Sequence, residues 1–290
     1  MTTFALILQS VVLGLVQGLT EFIPISSSAH LVIVPWLFGW KDPALASLTF
    51  DVALHMGTLI AVIVFFASDW GRLISAWFRS VIHLQFGDSP DARMAWYLLL
   101  ACIPGAVAGV FLEGLVTETF HVQPIPQSSM IAMAAVIALM GGLLLLADSR
   151  SRQRRPFGSI TPVDATVIGL SQALAIFPGV SRSGATITAG LALGLERGAA
   201  ARFSFLLSAP IIAGAGLKSV YDMLTGSTAG AAIPSSELII FPVGFLTAAI
   251  SGFFCIKILL SYLQKHSTRA FVYYRWALAV LVLVVALVQG

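Results

Sequence analysis

The stretch GLVQGLTEFIPISSSAHL, residues 14–31, is answered 155 positions later by GLSQALAIFPGVSRSGAT, residues 169–186, without a gap. Seven of the eighteen positions are identical: Gly14 with Gly169, Leu15 with Leu170, Gln17 with Gln172, Leu19 with Leu174, Phe22 with Phe177, Ser26 with Ser181 and Ser28 with Ser183. Chance in a chain rich in Leu and Gly would give roughly one or two. Each copy consists of a short apolar run, a polar break containing proline and a second short apolar run. Irregular backbone at membrane depth is tolerated only where protein or a water-filled cavity satisfies its N–H and C=O groups. Such a pair therefore reads as a re-entrant hairpin with a polar pocket at its tip.

The surroundings of both copies are lipid-like. Of 290 residues, 58% are hydrophobic and 10% charged, with a mean hydropathy of +0.94, against about 45–50% apolar and about 25% charged in an ordinary soluble domain. Too little polar surface remains to coat a core of this size, which excludes a water-soluble globular protein. Crossing about 30 Å of hydrocarbon takes roughly 20 helical residues. Long apolar stretches with at most two charged residues, at or near that length, lie at about 52–66, 94–112, 128–147, 203–224, 238–260 and 272–288. Shorter runs near 4–19, 29–38, 165–176 and 184–195 supply the two hairpins. The expected fold is an all-α polytopic membrane protein with six spanning helices plus two re-entrant helix pairs. Three crossings separate the copies, an odd number, so the second enters upside down. Residues 1–150 and 160–290 then form an inverted-topology internal repeat, one functional unit whose hairpin tips meet near the midplane.

Sixteen Lys and Arg against thirteen Asp and Glu give a net charge of +3, too small and too scattered to suggest nucleic-acid binding. Twelve of the sixteen, from Arg72 to Arg275, fall in the segments 67–93, 148–162, 196–202 and 261–275, which the span count puts on one face. The other face holds Lys41, Asp42, Glu113, Glu118 and Glu237. By the positive-inside rule the Arg-rich face is cytoplasmic and both termini lie outside. The start lacks a charged n-region and an A-x-A-like cleavage site, so no removable signal peptide is expected. Cys102 and Cys255 sit in apolar runs with no partner at ligand spacing and read as packing residues. The tryptophans mostly fall at span ends, as in an interfacial belt.

The first tip carries Gln17, Glu21, Ser26, Ser27, Ser28 and His30, and the 17-to-21 spacing puts amide and carboxylate on one helix face. Glu21 and His30 are the only ionisable side chains in residues 1–40. A carboxylate within the bilayer marks a functional site unless packing alone accounts for it. In the second tip, Gly179 and Gly184 allow close backbone approach, and Ser181, Ser183 and Thr186 supply hydroxyls. Arg182 offers a planar fork for phosphate, and a helix start adds free N–H groups: together, an oxyanion site. Arg182 is read as the one arginine deep in the membrane. An internal Arg182–Glu21 ion pair that ties the halves together is the plainer alternative, and the two are compatible. Asp51 and His55, four apart, share a helix face, where capping or packing suits them equally. Pro104 and Pro210 read as kinks.

Gln17 to Glu21 with Ser26, Ser27 and His30, followed by Pro178, Gly179, Ser181, Arg182, Ser183 and Thr186, resembles the motif pair of the bacterial undecaprenyl pyrophosphate phosphatase family, associated with bacitracin resistance. The resemblance covers essentially the whole chain. It implies hydrolysis of undecaprenyl pyrophosphate to undecaprenyl phosphate and inorganic phosphate, which recycles the lipid carrier for peptidoglycan. It also implies dependence on a divalent metal, and a site opening toward the outer face of the bacterial cytoplasmic membrane. Position 17 departs from it, since many members carry Glu there, which shifts metal binding onto Glu21.

On this basis Arg182, Ser181, Ser183, Thr186, Ser26 and Gly179 are expected to grip the phosphates, while Glu21, helped by Gln17, holds Mg²⁺ or Ca²⁺. Ser27 would attack or position water, with His30 as general base or acid, and the choice between Ser27 and His30 as nucleophile stays open. The partners expected are the polyprenyl pyrophosphate lipid and the bilayer. The oligomeric state, monomer or homodimer, is open. Two other classes compete: a secondary transporter or flippase of an anionic lipid, because inverted repeats with broken helices suit transport, and a head-group binding protein without chemistry.

Overall fold

The computed structural model describes residues 2–120, 125–225 and 238–289. The helices are α1 (Thr3–Thr20), α2 (Ser27–Phe38), α3 (Leu48–Phe65), α4 (Ala67–Ile82), α5 (Pro90–Phe120), α6 (Gln127–Arg150), α7 (Pro162–Ala173), α8 (Arg182–Ala192), α9 (Arg197–Leu224), α10 (Ile240–Leu263) and α11 (Arg269–Gln289). Among the described residues there is no strand, only an isolated bridge between Arg155 and Leu195. Among the described residues seven helices are long and apolar enough to cross a membrane: α1, α3, α5, α6, α9, α10 and α11. The chain is an all-α polytopic membrane protein. Six of the seven coincide with the expected spans. The seventh, α1, was read as half of a hairpin, and its 18 residues reach about 27 Å at 1.5 Å per residue, enough on length alone. The side chains of Glu113, Glu118 and Glu237, assigned to the second face, lie outside the described residues.

One stretch read as loop is helical. In α4, Asp69, Leu73, Ala76 and Ser80 form a buried stripe at helical spacing, while Arg72 and Arg79 face outward. This amphipathic pattern contains no apolar run for a span search to find.

Small residues bring α1 and α7 close to their neighbours. A Cβ on Gly18 would lie 2.0 Å from Ser251 Oγ and 2.6 Å from Ala248 O, and one on Gly14 2.7 Å from Gly244 O, so α1 lies directly on α10. The repeat mate Gly169, on α7, would place a Cβ 2.6 Å from Ala101 O of α5. Equivalent glycines thus press each copy's first arm against a helix from the other half. α6 and α11 pair through Met133, Ile137, Leu278 and Val282.

The Arg-rich segments meet at one end of the bundle. Asp69 pairs with Arg72 and, at 2.7 Å, with Arg202. Asp148 accepts from Arg197 at 2.6 Å and from the Thr268 N–H at 3.3 Å. Arg155 lies 2.5 Å from Asp164. Segments 67–93, 148–162, 196–202 and 261–275 are therefore linked in series, 67–93 to 196–202, and 148–162 to both 196–202 and 261–275, with one exception among the arginines. Arg275, expected among the arginines of that face, is 0% exposed and belongs to the interior.

Candidate active site

Two short helices start at the two breaks, and they start alike. Ser26 caps α2 and Ser181 caps α8, with φ of 78° and 71°, a backbone state that side-chain-bearing residues seldom adopt. Ser26 Oγ accepts from Ala29 N at 3.4 Å and Ser181 Oγ from Gly184 N at 3.0 Å. Ser26 meets Ser28 at 3.3 Å and Ser181 meets Ser183 at 3.2 Å. Such strain costs about 1–3 kcal/mol per residue and persists only where the surroundings enforce it. Here the tips enforce it on each other: Gly179 N donates to Ser26 Oγ at 3.1 Å, and Ser183 Oγ donates to Ile23 O at 3.1 Å. The first N–H groups of each helix, on Ser27 and Ser28 and on Arg182 and Ser183, have no intrahelical acceptor and carry the positive end of the helix dipole.

Glu21, 6% exposed in the first break, is where the tips converge. Its Oε1 accepts from Arg182 Nη2 at 2.7 Å. Its Oε2 accepts from Ser27 Oγ at 2.5 Å and Gln17 Nε2 at 3.1 Å, and lies 3.7 Å from His55 Nε2. The other arm of Arg182, Nη1, donates to Ser204 O of α9 at 2.9 Å. Ser27 and Arg182 are the first residues of α2 and α8 and stand 155 apart, so they are repeat mates. The mate of Glu21 is Ile176. One carboxylate thus holds a hydroxyl from one tip and a guanidinium from the other.

A family model described as Bacitracin resistance protein BacA matches residues 10–281. The chain belongs to the BacA family. It is 47% identical to an undecaprenyl-diphosphatase of Moorella thermoacetica, over 96% of this chain and 97% of that one. To the undecaprenyl-diphosphatase of Desulforudis audaxviator it is 46% identical, over 97% and 98%. To that of Caldicellulosiruptor bescii it is 43% identical over 100% of both. Within this BacA-family chain the structure brings Gln17, Glu21, Ser27 and Arg182 together and arranges the other expected residues differently.

His30 does not contact Ser27. Its Nδ1 is 2.6 Å from Ser26 O, so the Nδ1–H donates there, and Nε2 accepts from the Tyr274 hydroxyl at 2.7 Å. The carbonyl one turn back fixes both tautomer and ring direction, and the side chain that accepts from Ser27 is the Glu21 carboxylate. The hydroxyls expected to grip phosphate are committed to the turns. Ser26 and Ser181 serve as caps, and Ser183 reaches Ile23 O. Fully buried Thr186 bonds Ser204 Oγ at 2.7 Å and Arg182 O at 2.8 Å, and the N–H of Gly179 is taken by Ser26. Arg182 and Ser27 are instead tied to Glu21, at 2.7 and 2.5 Å, and the helix-start N–H groups belong to these same residues and the ones that follow them. His55, whose spacing from Asp51 suits capping or packing equally, lies 3.7 Å from Glu21 and so joins the site. Ser204, Tyr274 and Arg275 were not singled out. The available signal for Arg275 was its place inside the apolar run 272–288, where an arginine has to be buried or paired.

For a metal, no group of three or more His, Cys, Asp or Glu is present among the described residues. The donors that do converge are oxygens: the Glu21 carboxylate, the Ser27 hydroxyl and Gln17 Oε1, which is buried without a partner. Mg²⁺ is commonly held by one or two carboxylates together with substrate phosphates. The residues fit a hard cation that arrives with a diphosphate rather than a cage that holds one unaided.

Proposed function

We propose that the chain hydrolyses undecaprenyl diphosphate to undecaprenyl phosphate and inorganic phosphate, returning the lipid carrier to cell-wall synthesis and conferring bacitracin resistance. The observation that carries this reading is the bridge made by Glu21, 2.5 Å from Ser27 Oγ and 2.7 Å from Arg182 Nη2. A transporter or flippase would use the guanidinium but has no use for a hydroxyl hydrogen-bonded to a buried base.

Phosphoanhydride cleavage needs charge neutralisation and in-line placement more than covalent assistance. The Arg182 guanidinium and the two helix starts take the non-bridging oxygens of the terminal phosphate. Glu21 Oε2 accepts the Ser27 proton as Ser27 Oγ bonds the terminal phosphorus. The bridging P–O bond breaks and undecaprenyl phosphate leaves. Water, deprotonated by the same carboxylate after that carboxylate releases its first proton, frees inorganic phosphate from Ser27. A divalent cation, Mg²⁺ or Ca²⁺, would be held by Glu21, Gln17 Oε1 and substrate oxygens, and supplies charge neutralisation.

The same reading takes residues 1–150 and 160–290 as inverted repeats forming one unit. The matched serine caps, the matched glycines and the matched N1 positions support it. It places the chain in the bacterial inner membrane with the Arg-rich end cytoplasmic, both termini outside and the site open to the outer face. The test of function is purified protein in detergent with undecaprenyl diphosphate. Phosphate release that stops in Arg182→Ala is expected, with chelator reporting the cation requirement. Tight substrate binding with no phosphate released refutes hydrolysis.

A further inference from the structure

α11 passes behind both tips and sends two adjacent side chains into them. Arg275, fully buried, donates from Nη1 to Pro24 O at 2.9 Å, from Nη2 to Gly179 O at 2.6 Å and Val180 O at 3.2 Å, and from Nε to Ile137 O at 3.1 Å. Pro24 and Gly179 stand 155 apart, at the same place in the two breaks. One guanidinium therefore spans equivalent carbonyls of the two copies. The backbone makes room for it, since a Cβ on Gly184 would lie 3.0 Å from Arg275 Nη1 and 2.9 Å from Ser181 Cβ. Among the described residues all its acceptors are backbone carbonyls, none a carboxylate. For packing alone, an apolar side chain of similar volume commonly does as well or better than a buried charge. What the guanidinium adds is a rigid fork that fixes one segment relative to another.

Tyr274 completes the attachment. Its hydroxyl donates to His30 Nε2 at 2.7 Å with the rings stacked at 5.7 Å, and His30 in turn donates to Ser26 O, the residue that caps α2. Ser27 follows that cap, and Arg182 follows its mate Ser181.

We infer that Tyr274 and Arg275 are positioning residues for the phosphoryl transfer, holding the start of α2, which carries Ser27, in register with the start of α8, which carries Arg182. The inference rests on the phosphatase reading. Neither side chain bonds Glu21, Ser27 or Arg182, so their effect passes through the backbone of the breaks. It also gives His30 a definite task, as the strut between Tyr274 and the α2 cap.

Misplacement of reacting groups by about 1 Å costs on the order of 100-fold in rate. Arg275→Lys keeps the charge but cannot span two segments with one nitrogen, so kcat should fall by about 100-fold with KM within about threefold. Tyr274→Phe removes one oxygen from a ring that is 44% exposed and should lower kcat by about tenfold, again with little change in KM. The experiment measures undecaprenyl diphosphate hydrolysis by wild type, Arg275→Lys and Tyr274→Phe in detergent, with kcat expressed per monodisperse folded molecule. A lowered kcat in protein of wild-type thermal midpoint supports the inference. Wild-type kcat in Tyr274→Phe, or a loss confined to folded yield, overturns it. If Arg275→Lys does not fold, Tyr274→Phe decides alone. Absence of phosphate release by the wild type overturns the phosphatase reading itself, and the inference with it.

Discussion

Replacing Glu21 with Gln separates binding from chemistry. The change keeps the shape of a side chain that accepts from Arg182 at 2.7 Å and Ser27 at 2.5 Å, and removes its charge. A hydrogen bond to a charged group contributes about 1.5–3 kcal/mol, so in the wild type a diphosphate competes with the carboxylate for the guanidinium. With an amide at position 21, Arg182 keeps a weaker partner. Recovering about 1 kcal/mol of that competition would tighten binding of a non-hydrolysable polyprenyl diphosphonate by roughly fivefold. Catalysis moves the opposite way, because an amide cannot take the Ser27 proton and a general base commonly contributes about 10²- to 10⁴-fold. The assay pairs phosphate release with calorimetric binding of the diphosphonate in the presence of chelator, so that a cation held by Glu21 does not enter the affinity. A kcat within tenfold of wild type refutes Glu21 as the base. Loss of diphosphonate binding together with kcat refutes the competition argument and makes the carboxylate a scaffold for the tip.

Three further outcomes follow from the geometry. Arg182→Lys cannot serve Ser204 O and Glu21 together as the two arms do at 2.9 and 2.7 Å; kcat/KM should drop on the order of 100-fold, with diphosphonate binding weakened rather than tightened. Gly18→Leu inserts a side chain where even a Cβ lies 2.0 Å from Ser251 Oγ and should destabilise the fold by about 1–3 kcal/mol or more; the thermal midpoint in detergent reads this, while Gly142→Ala, with nothing within 4 Å, should leave it unchanged. At the Arg-rich end, burial pushes the Asp164 carboxyl up, but hydrogen bonds from Arg155 and Thr161 outweigh it and hold the group below its ordinary 3.8. A depressed folded value means stability that is full above the unfolded value and lost as pH falls through the folded one. Asp164→Asn should therefore destabilise at neutral pH and flatten the acid limb below about 3.8 in a pH series of unfolding midpoints.

The contact between the tips is legible in sequence where a local rule is broken. A carboxylate and an arginine in apolar surroundings need partners, and that need points to Glu21 and Arg182, which meet at 2.7 Å. The direction of a ring is a different kind of fact. The same spacing that puts His30 one turn after Ser26 lets its Nδ1 bond the Ser26 carbonyl at 2.6 Å, which turns the imidazole toward Tyr274, and no residue pattern distinguishes that rotamer from one facing Ser27. The hydroxyls of Ser181, Ser183 and Thr186 are readable as polar groups but not as groups already engaged, Ser181 accepting from Gly184 N, Ser183 donating to Ile23 O and Thr186 bonding Ser204. α4 was invisible to a search for apolar runs because its buried stripe is one residue wide. Arg275 was hidden by an arbitrary boundary: counted with the loop before it, it looked like one more interfacial arginine, although it lies within the run assigned as the last span.

The repeat explains why one site, and not two, forms between the tips. Positions kept the same in both copies build the frame: Ser26 with Ser181 and Ser28 with Ser183 shape the caps, Gly14 with Gly169 set the helix contacts, and the carbonyls of Pro24 and Gly179 meet on Arg275. Positions that differ supply the groups that the proposed hydrolysis uses. Two arginines, or two carboxylates, at mated positions would face each other across the tips as like charges, each raising the cost of burying the other. With Ser27 mated to Arg182, and Glu21 to Ile176, the frame instead presents one hydroxyl, one cation and one base to a common point. Gln17 and Gln172 show the same logic within an unchanged residue: Gln17 donates to Glu21 at 3.1 Å, whereas Gln172, whose copy has Ile176 in place of a carboxylate, is left with the Ala101 carbonyl at 3.4 Å. Its use is decided by the neighbour four residues on, so the placement of a single acidic residue suffices to make the two copies differ at the point where the tips meet.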